Sequence, residues 1–357
     1  MPLAYPAEDL DFVLSQTPEF WSRFVGARLL ITGGTGFIGS WLVQTLQRAN
    51  YRLGSGLELV VLARNPERAR QQHPFVFDRA DTRLVQADIS QALPPLGPLD
   101  MCIHAATDVG DLGKAGNPLQ QFDSIVGGTR RVLDMAQAGG AKRFLLVSSG
   151  AIYGPQPTDL ERIHETYTAA PSTLLQAQAY GNGKRAAEWL ACAYAAQTAQ
   201  TGLEASIARI FAVVGPGLPF NGPFAAGNFI RDALAGKTIT IQGDGQPLRS
   251  FLYMSDLCIW LLRILGVGQS GEAYNVGGQH AVSIATLAQQ VVAAADTATP
   301  IDIRTQAQPD VAPPRYLPDT SKARQALNLQ DYTPLDVALR KTIAWTRASG
   351  IPNPHSV

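Results

Sequence analysis

The sequence is short of the residues that cross-link chains and bind metals. Its three cysteines, Cys102, Cys192 and Cys258, are far apart, odd in number and unaccompanied by any CxxC or Cys/His spacing, so neither a disulfide framework nor a zinc site is indicated. Buried thiols in a reducing compartment are the plainer reading. A surplus of charge is missing too: 29 Lys and Arg balance 29 Asp and Glu. That balance leaves nothing to neutralise a phosphate backbone and disfavours nucleic acid as a partner. No apolar run reaches the roughly 18 residues of a spanning helix, since even "CIWLLRILGVG" is interrupted by Arg263. A membrane location is therefore not expected. The opening residues carry acids where a signal peptide carries bases, and cytoplasm is the expected compartment.

What the chain does have is apolar bulk. Its 357 residues are 46% hydrophobic, enough for one large or two closely joined domains. Asp9 to Phe24 carries apolar residues at helical spacing and predicts a helical N-terminal extension, residues 1–26, packed on the main domain as an appendage. From residue 27 the pattern turns to strands, "ARLLIT", "LELVVLA", "TRLVQADI", "LDMCIHAA", "RFLLVSS" and "EASIARIFAVV", with helices between them. Runs of Val, Ile and Leu alternating with helices predict a doubly wound parallel sheet, an α/β domain over residues 27–215. Residues 216–357 lose that regularity and become Pro-rich, which predicts a smaller mixed lobe over the carboxyl ends of the strands, where ligands bind in such folds. Some of its segments are left free to return to the first domain.

"ITGGTGFIG" places Gly34, Gly36 and Gly39 in a GxGxxG pattern between the first strand and the first helix of the repeat. Such glycines let a backbone approach a pyrophosphate, whose charge then meets free N–H groups at the helix start. A dinucleotide site is the reading, against an ordinary strand-to-helix turn. The second strand ends in Ala63 and Arg64 where an NAD-specific acid would stand, so NADP is slightly favoured and NAD stays open. Arg64 lying over the adenine or pointing to solvent is a nearly equal alternative. Asp88, after the third strand, either accepts from the adenine amino group or caps a turn.

"AYGNGKRAAEWL" puts Tyr180 and Lys184 on one face at the start of a helix, and "FLLVSSGAIYG" ends a strand in hydroxyls with no acid beside them. A phenol with a pKa of about 10 is a poor base at neutral pH. A nearby ammonium and an oxidised nicotinamide would stabilise its phenolate, and Tyr180 could then take a proton from a substrate hydroxyl held by Ser149.

With these motifs in order, the chain resembles the extended short-chain dehydrogenase/reductase family, in its NAD(P)-dependent nucleotide-sugar epimerase/dehydratase branch. The match runs from about residue 27 to 345 through "TGGTGFIG", "ADI", "HAAT", "NP", "GT", "LVSSGAIYG", "YGNGK", "RIFAVVGPG", "GDGQPLRSFLYMSDL", "YNVGG" and "DTSKARQAL". The resemblance implies a Rossmann-type sheet, a nucleotide-diphosphate sugar as substrate and Ser149, Tyr180 and Lys184 as the catalytic set. It further implies a cofactor held by Gly33, Gly34, Gly36, Phe37, Ile38, Gly39, Arg64, Asp88, Ile89, Ala105, Ala106, Thr107 and Ser148 together with Tyr180 and Lys184. Asn228, Arg249 and Arg315 match positions that hold the sugar nucleotide beside Ser149 and Tyr180, and a homodimer is implied through the helices flanking the sheet.

Departures select the reaction. Where the 4,6-dehydratases carry Asp and Glu after the serine or threonine, this chain has Gly150 and Ala151, and the decarboxylases' Glu at the second place is likewise absent. Ile125, Ala212 and Gly183 replace an Asn, an Asn and a Ser usual to the family. A C4 epimerase acting through a transient keto sugar is the leading expectation. A keto-sugar reductase, a dehydratase drawing an acid from elsewhere such as Glu165, and a non-catalytic dinucleotide sensor are the alternatives. His104 reads as a hydrogen-bonded structural histidine with a catalytic role open, and no metal site is expected.

Overall fold

A computed structural model of the protein describes residues 4–107, 117–220, 222, 224–308 and 310–350. Two helices, α1 (Ala7–Gln16) and α2 (Pro18–Arg23), precede strand β1 (Arg28–Thr32), helix α3 (Phe37–Leu53) and strand β2 (Glu58–Ala63). Short helices α4 (Pro66–Gln72) and α5 (Pro74–Phe77) lead to β3 (Thr82–Gln86) and β4 (Met101–His104). Helix α6 (Pro118–Ala138), β5 (Arg143–Ser149), α7 (Ala179–Ala195) and, after a short turn of helix, β6 (Glu204–Ile210) complete the regular part.

The six strands lie in the order β6-β5-β4-β1-β2-β3, and a seventh, Ala273–Val276, pairs with β6 at the outer edge. Every pair is parallel. This is the Rossmann-type sheet, whose strand order reverses between β1 and β4 and opens a crevice at their carboxyl ends. Both faces are buried, so successive strand residues alternate between two cores rather than between core and water. Leu30, Val60, Cys102, Phe144 and Leu146 pack against α6 and α7. Leu29, Ile31, Val61, Ile103 and Leu145 face α3 and the helix Met254–Val267.

The N-terminal stretch is part of that second core and not an appendage. Leu10, Val13, Leu14, Phe20 and Trp21 are buried in it. Tyr5 stacks on Trp41 of α3 at 4.3 Å between ring centroids. The buried carboxylate of Asp9 accepts from the Tyr253 hydroxyl at 2.6 Å and from the Lys341 ammonium, which ties the start of the chain to its last helix, Leu335–Ala348. A third core, built from Phe229, Ile230, Leu287, Val291, Leu339 and neighbours, carries the C-terminal lobe. No described helix is long and apolar enough to cross a membrane, and no group of His, Cys, Asp and Glu among the described residues is placed to hold a metal.

Candidate active site

The glycine loop turns at the switch point. Gly33 has φ +72, the left-handed region glycine favours, and a Cβ there would lie 2.6 Å from the Ala106 amide nitrogen. A side chain at Gly39 would collide with the Gly33 carbonyl, and one at Gly34 with Val61, so these two glycines set how closely α3 seats on the sheet. Gly36 is the N-cap of α3, has no side-chain capping bond and is followed by no acid in the first turn. The helix therefore begins with unclaimed N–H donors at its positive end, a fit for a pyrophosphate. Gly33, Gly36, Ala63, Arg64, Asp88, Ile89, Ala106 and Thr107 line one cavity here, joined by Thr32, Thr35, Leu62, Ala87 and Ser124, which were not among the expected contacts. Phe37 and Ile38 pack inward at the start of α3 instead, and Ala105 meets the loop through its backbone. Asp88 caps a turn, one of the two roles expected of it. Its carboxylate accepts from Ser90 N at 2.8 Å, which holds it below the usual carboxylate range, and it lines the cavity within electrostatic reach of Arg64.

Ser149, Tyr180 and Lys184 converge where β5 ends against α7. The Ser149 hydroxyl accepts from Ala151 N at 3.2 Å as the chain enters the turn Gly150–Tyr153, and it reaches the Tyr180 phenol. Burial raises the Tyr180 pKa, and the Ser149 contact partly offsets that rise. The lysine does not do the lowering expected of it within the protein alone. Its ammonium donates to Val147 O at 2.9 Å and to Thr107 Oγ1, stands 6.0 Å from the Tyr180 ring centre, and is itself pulled down to about 8 by burial.

Behind this trio runs a buried ionic chain that the motifs did not reveal. Ser148, read as a cofactor contact, donates its hydroxyl proton to Glu188 on α7. Glu188 in turn pairs with Arg209 of β6 at 2.7 Å, and Arg209 donates to the Tyr153 hydroxyl, which reaches Asn275 on the seventh strand. Tyr180, Lys184 and Glu188 recur every four residues on one face of α7, a spacing visible in the sequence. Glu165 is occupied elsewhere: its carboxylate accepts from Asn275 N at 2.8 Å. His104 is held between Thr32 (2.6 Å) and Thr129 (3.1 Å). Ala106 N also donates to Thr32 Oγ1, so the imidazole and the threonine hydroxyl beside it are both fully engaged. Burial takes this histidine down to about 3, so it is a neutral structural link.

The C-terminal lobe supplies the remaining side. Strand Leu248–Ser250 pairs in parallel with Arg315–Tyr316, setting Leu248 opposite Arg315 and Arg249 opposite Tyr316. Alternation along the strands then separates the two arginines: Arg249 lies over the Tyr316 ring at 5.7 Å, and Arg315 belongs to the opposite face. Arg249 donates to Leu248 O, and no carboxylate pairs with it among the described residues. Arg315 keeps a buried Nε with no partner. The Asn228 amide donates to Gly222 O, and its oxygen accepts from Arg231.

A family model described as the NAD dependent epimerase/dehydratase family matches residues 29–277. The chain belongs to that family. Within the epimerase/dehydratase family it is 30% identical to the UDP-glucuronic acid decarboxylase 1 of Xenopus tropicalis over 329 residues, 92% of this chain and 74% of that protein. It superposes on MoeE5 in complex with UDP-glucuronic acid and NAD at TM-score 0.73 and 27% identity, covering 90% of this chain and 99% of that one. DesIV, a dTDP-glucose 4,6-dehydratase from Streptomyces venezuelae with NAD and TYD bound, gives 0.75 and 25% over 90% and 97%. The protein is an enzyme of this epimerase/dehydratase family, and its glycine cradle fits the dinucleotide that the family uses.

Proposed function

We propose that the protein is a nucleotide-sugar 4-epimerase that works through a transient 4-keto sugar. The observation that carries this reading is a redox trio without an eliminating acid. Ser149, Tyr180 and Lys184 meet beside the dinucleotide cavity, while the backbone at Gly150 is so closely covered that any side chain would strike Tyr316 and Phe211. Ala151 presents only a methyl group, and Glu165 is bonded to the sheet. A nicotinamide dinucleotide held at the glycine loop would supply a reversible hydride acceptor for the alcohol carbon. Tyr180 accepts the C4 hydroxyl proton and gives it back, Ser149 holds that oxygen, and Lys184 keeps positive charge under the phenol. Arg249, half-buried and with no carboxylate pairing with it among the described residues, is the side chain best suited to the sugar's diphosphate. Arg64, with no acid at the end of β2, favours NADP as the form bound.

A second reading, decarboxylation of a UDP-glucuronate-like substrate, is favoured by the similar decarboxylases and opposed by Ala151. Both start by oxidation at C4, so one experiment separates them. Incubation with UDP-glucuronate and with UDP-glucose should give the C4 epimer of at least one and no carbon dioxide. Release of carbon dioxide with a pentose product would replace the first reading by the second. Tyr180→Phe should lower turnover by about 10²–10⁴-fold with nucleotide-sugar binding retained; near-normal turnover would remove the mechanism.

A further inference from the structure

The space beside Gly150 is filled from the other end of the chain. A methyl group built on Gly150 would lie 2.6 Å from the Tyr316 hydroxyl oxygen and 2.7 Å from Phe211 Cζ. Tyr316 comes from the short strand Arg315–Tyr316, packs on Phe211 at 4.6 Å between centroids, and is roofed by Arg249. Its phenol oxygen therefore sits beside the Ser149–Gly150 turn, where Ser149 lies between it and Tyr180.

A serine hydroxyl has two acceptor positions and one proton. One acceptor position on Ser149 is taken by Ala151 N–H. We propose that Tyr316 is a positioning residue whose O–H fills the second acceptor position of Ser149, so that the serine's single proton is directed at Tyr180 and at the substrate oxygen beside it. The direction of donation follows from charge. Two phenols that share one hydroxyl cannot both ionise readily, because each anion disfavours the other. When Tyr180 becomes the base, Tyr316 stays the neutral donor, and the apolar ring of Phe211 and its own burial keep it so. The other charged and titratable groups facing the pair are Lys184 on α7, Arg249 across the strand pair and Tyr153 in the turn. None of these three sits on Ser149.

The inference rests on reading this trio as the redox centre, but its test needs no sugar. The enzyme is saturated with oxidised cofactor, and tyrosinate absorbance is titrated with pH in the wild type, Tyr316→Phe, Ser149→Ala and the double variant. Each titration has that of its Tyr180→Phe counterpart subtracted, so that only Tyr180 is read. Tyr316→Phe keeps the ring against Phe211 and should raise the Tyr180 midpoint by somewhat less than one pH unit, the size of one lost hydrogen bond between neutral groups at about 1 kcal/mol. In the Ser149→Ala background the same change should add nothing, because its route through the serine is gone. An unmoved midpoint in Tyr316→Phe, or a further rise in the double variant, would overturn the inference. Failure of the epimerase reading would show separately, as absence of sugar turnover in a wild type whose titrations behave as stated. Gly150→Ala, whose methyl displaces the Tyr316 hydroxyl, should reproduce the rise without altering Tyr316, and an unmoved midpoint there would count against it.

Discussion

At position 104 a histidine stands at the carboxyl end of a central strand, close to Lys184, and does no titrating near neutrality. Burial and then the Lys184 charge take it down to about 3, whereas in the unfolded chain it titrates near 6.5. Between those values the unfolded chain holds the extra proton, so stability falls as pH falls from about 6.5 toward 3. By pH 5 the loss is about 2 kcal/mol. His104→Gln should therefore narrow the gap between urea midpoints at pH 7 and pH 5; an unchanged gap would mean that this imidazole protonates in the fold. Two other departures from the family pattern explain each other at this scale. Ile125 is buried, and a side chain on Gly183 would approach it to 3.3 Å, so an apolar contact stands where the family's Asn and Ser would be. Local patterns such as GxGxxG and YxxxK could be read from the letters because their spacing is their geometry. Tyr316 could not, since it reaches Ser149 only through strand pairing between segments far apart in the chain. Its neighbour Arg315 drew attention in its place, and a one-residue step along a strand changes the face.

At the scale of elements, the carboxyl end of β5 is held by an ionic chain and not by packing alone. Glu188 of α7 and Arg209 of β6 are both largely buried and bonded to each other at two atoms of each side chain. Ser148 and Tyr153 attach to them on either side of Ser149. Removing one partner leaves a buried uncompensated charge, which costs about 3–5 kcal/mol. Arg209→Met should lower unfolding stability by that order and disturb Ser149 at the same time. A loss below about 1 kcal/mol by urea unfolding would place Glu188 in water rather than in the core. The strands and helices of residues 27–215 were legible because both-face burial writes continuous apolar runs. The N-terminal helices were legible as helices but not as core, because amphipathic spacing says that a face is covered without naming the cover. Here the cover is α3 and the helix Met254–Val267, and its polar anchor is Asp9, which an exposed-looking acidic start concealed.

For the molecule as a whole, the surface offers a test of assembly. Trp189 on α7 is 69% exposed, and Leu119 on α6 is 74% exposed, large apolar groups on the two helices through which pairing is proposed. Trp189→Asp should convert a dimer to monomer in analytical ultracentrifugation, while an unchanged sedimentation coefficient would put the interface elsewhere. The doubly wound plan and the crevice at the strand reversal both followed from the order of motifs. The C-terminal lobe did not, because its short strands carry no periodicity long enough to read. The proposed epimerase would return its hydride within one active site and keep its cofactor bound and oxidised between turnovers. The measurement that tests it most directly is to denature the purified protein and identify the released nucleotide by chromatography and mass. The account predicts close to one oxidised nicotinamide dinucleotide per chain, with the extra phosphate of NADP if Arg64 has the role given to it. A protein that emerges empty and consumes reduced cofactor with each turnover would contradict it.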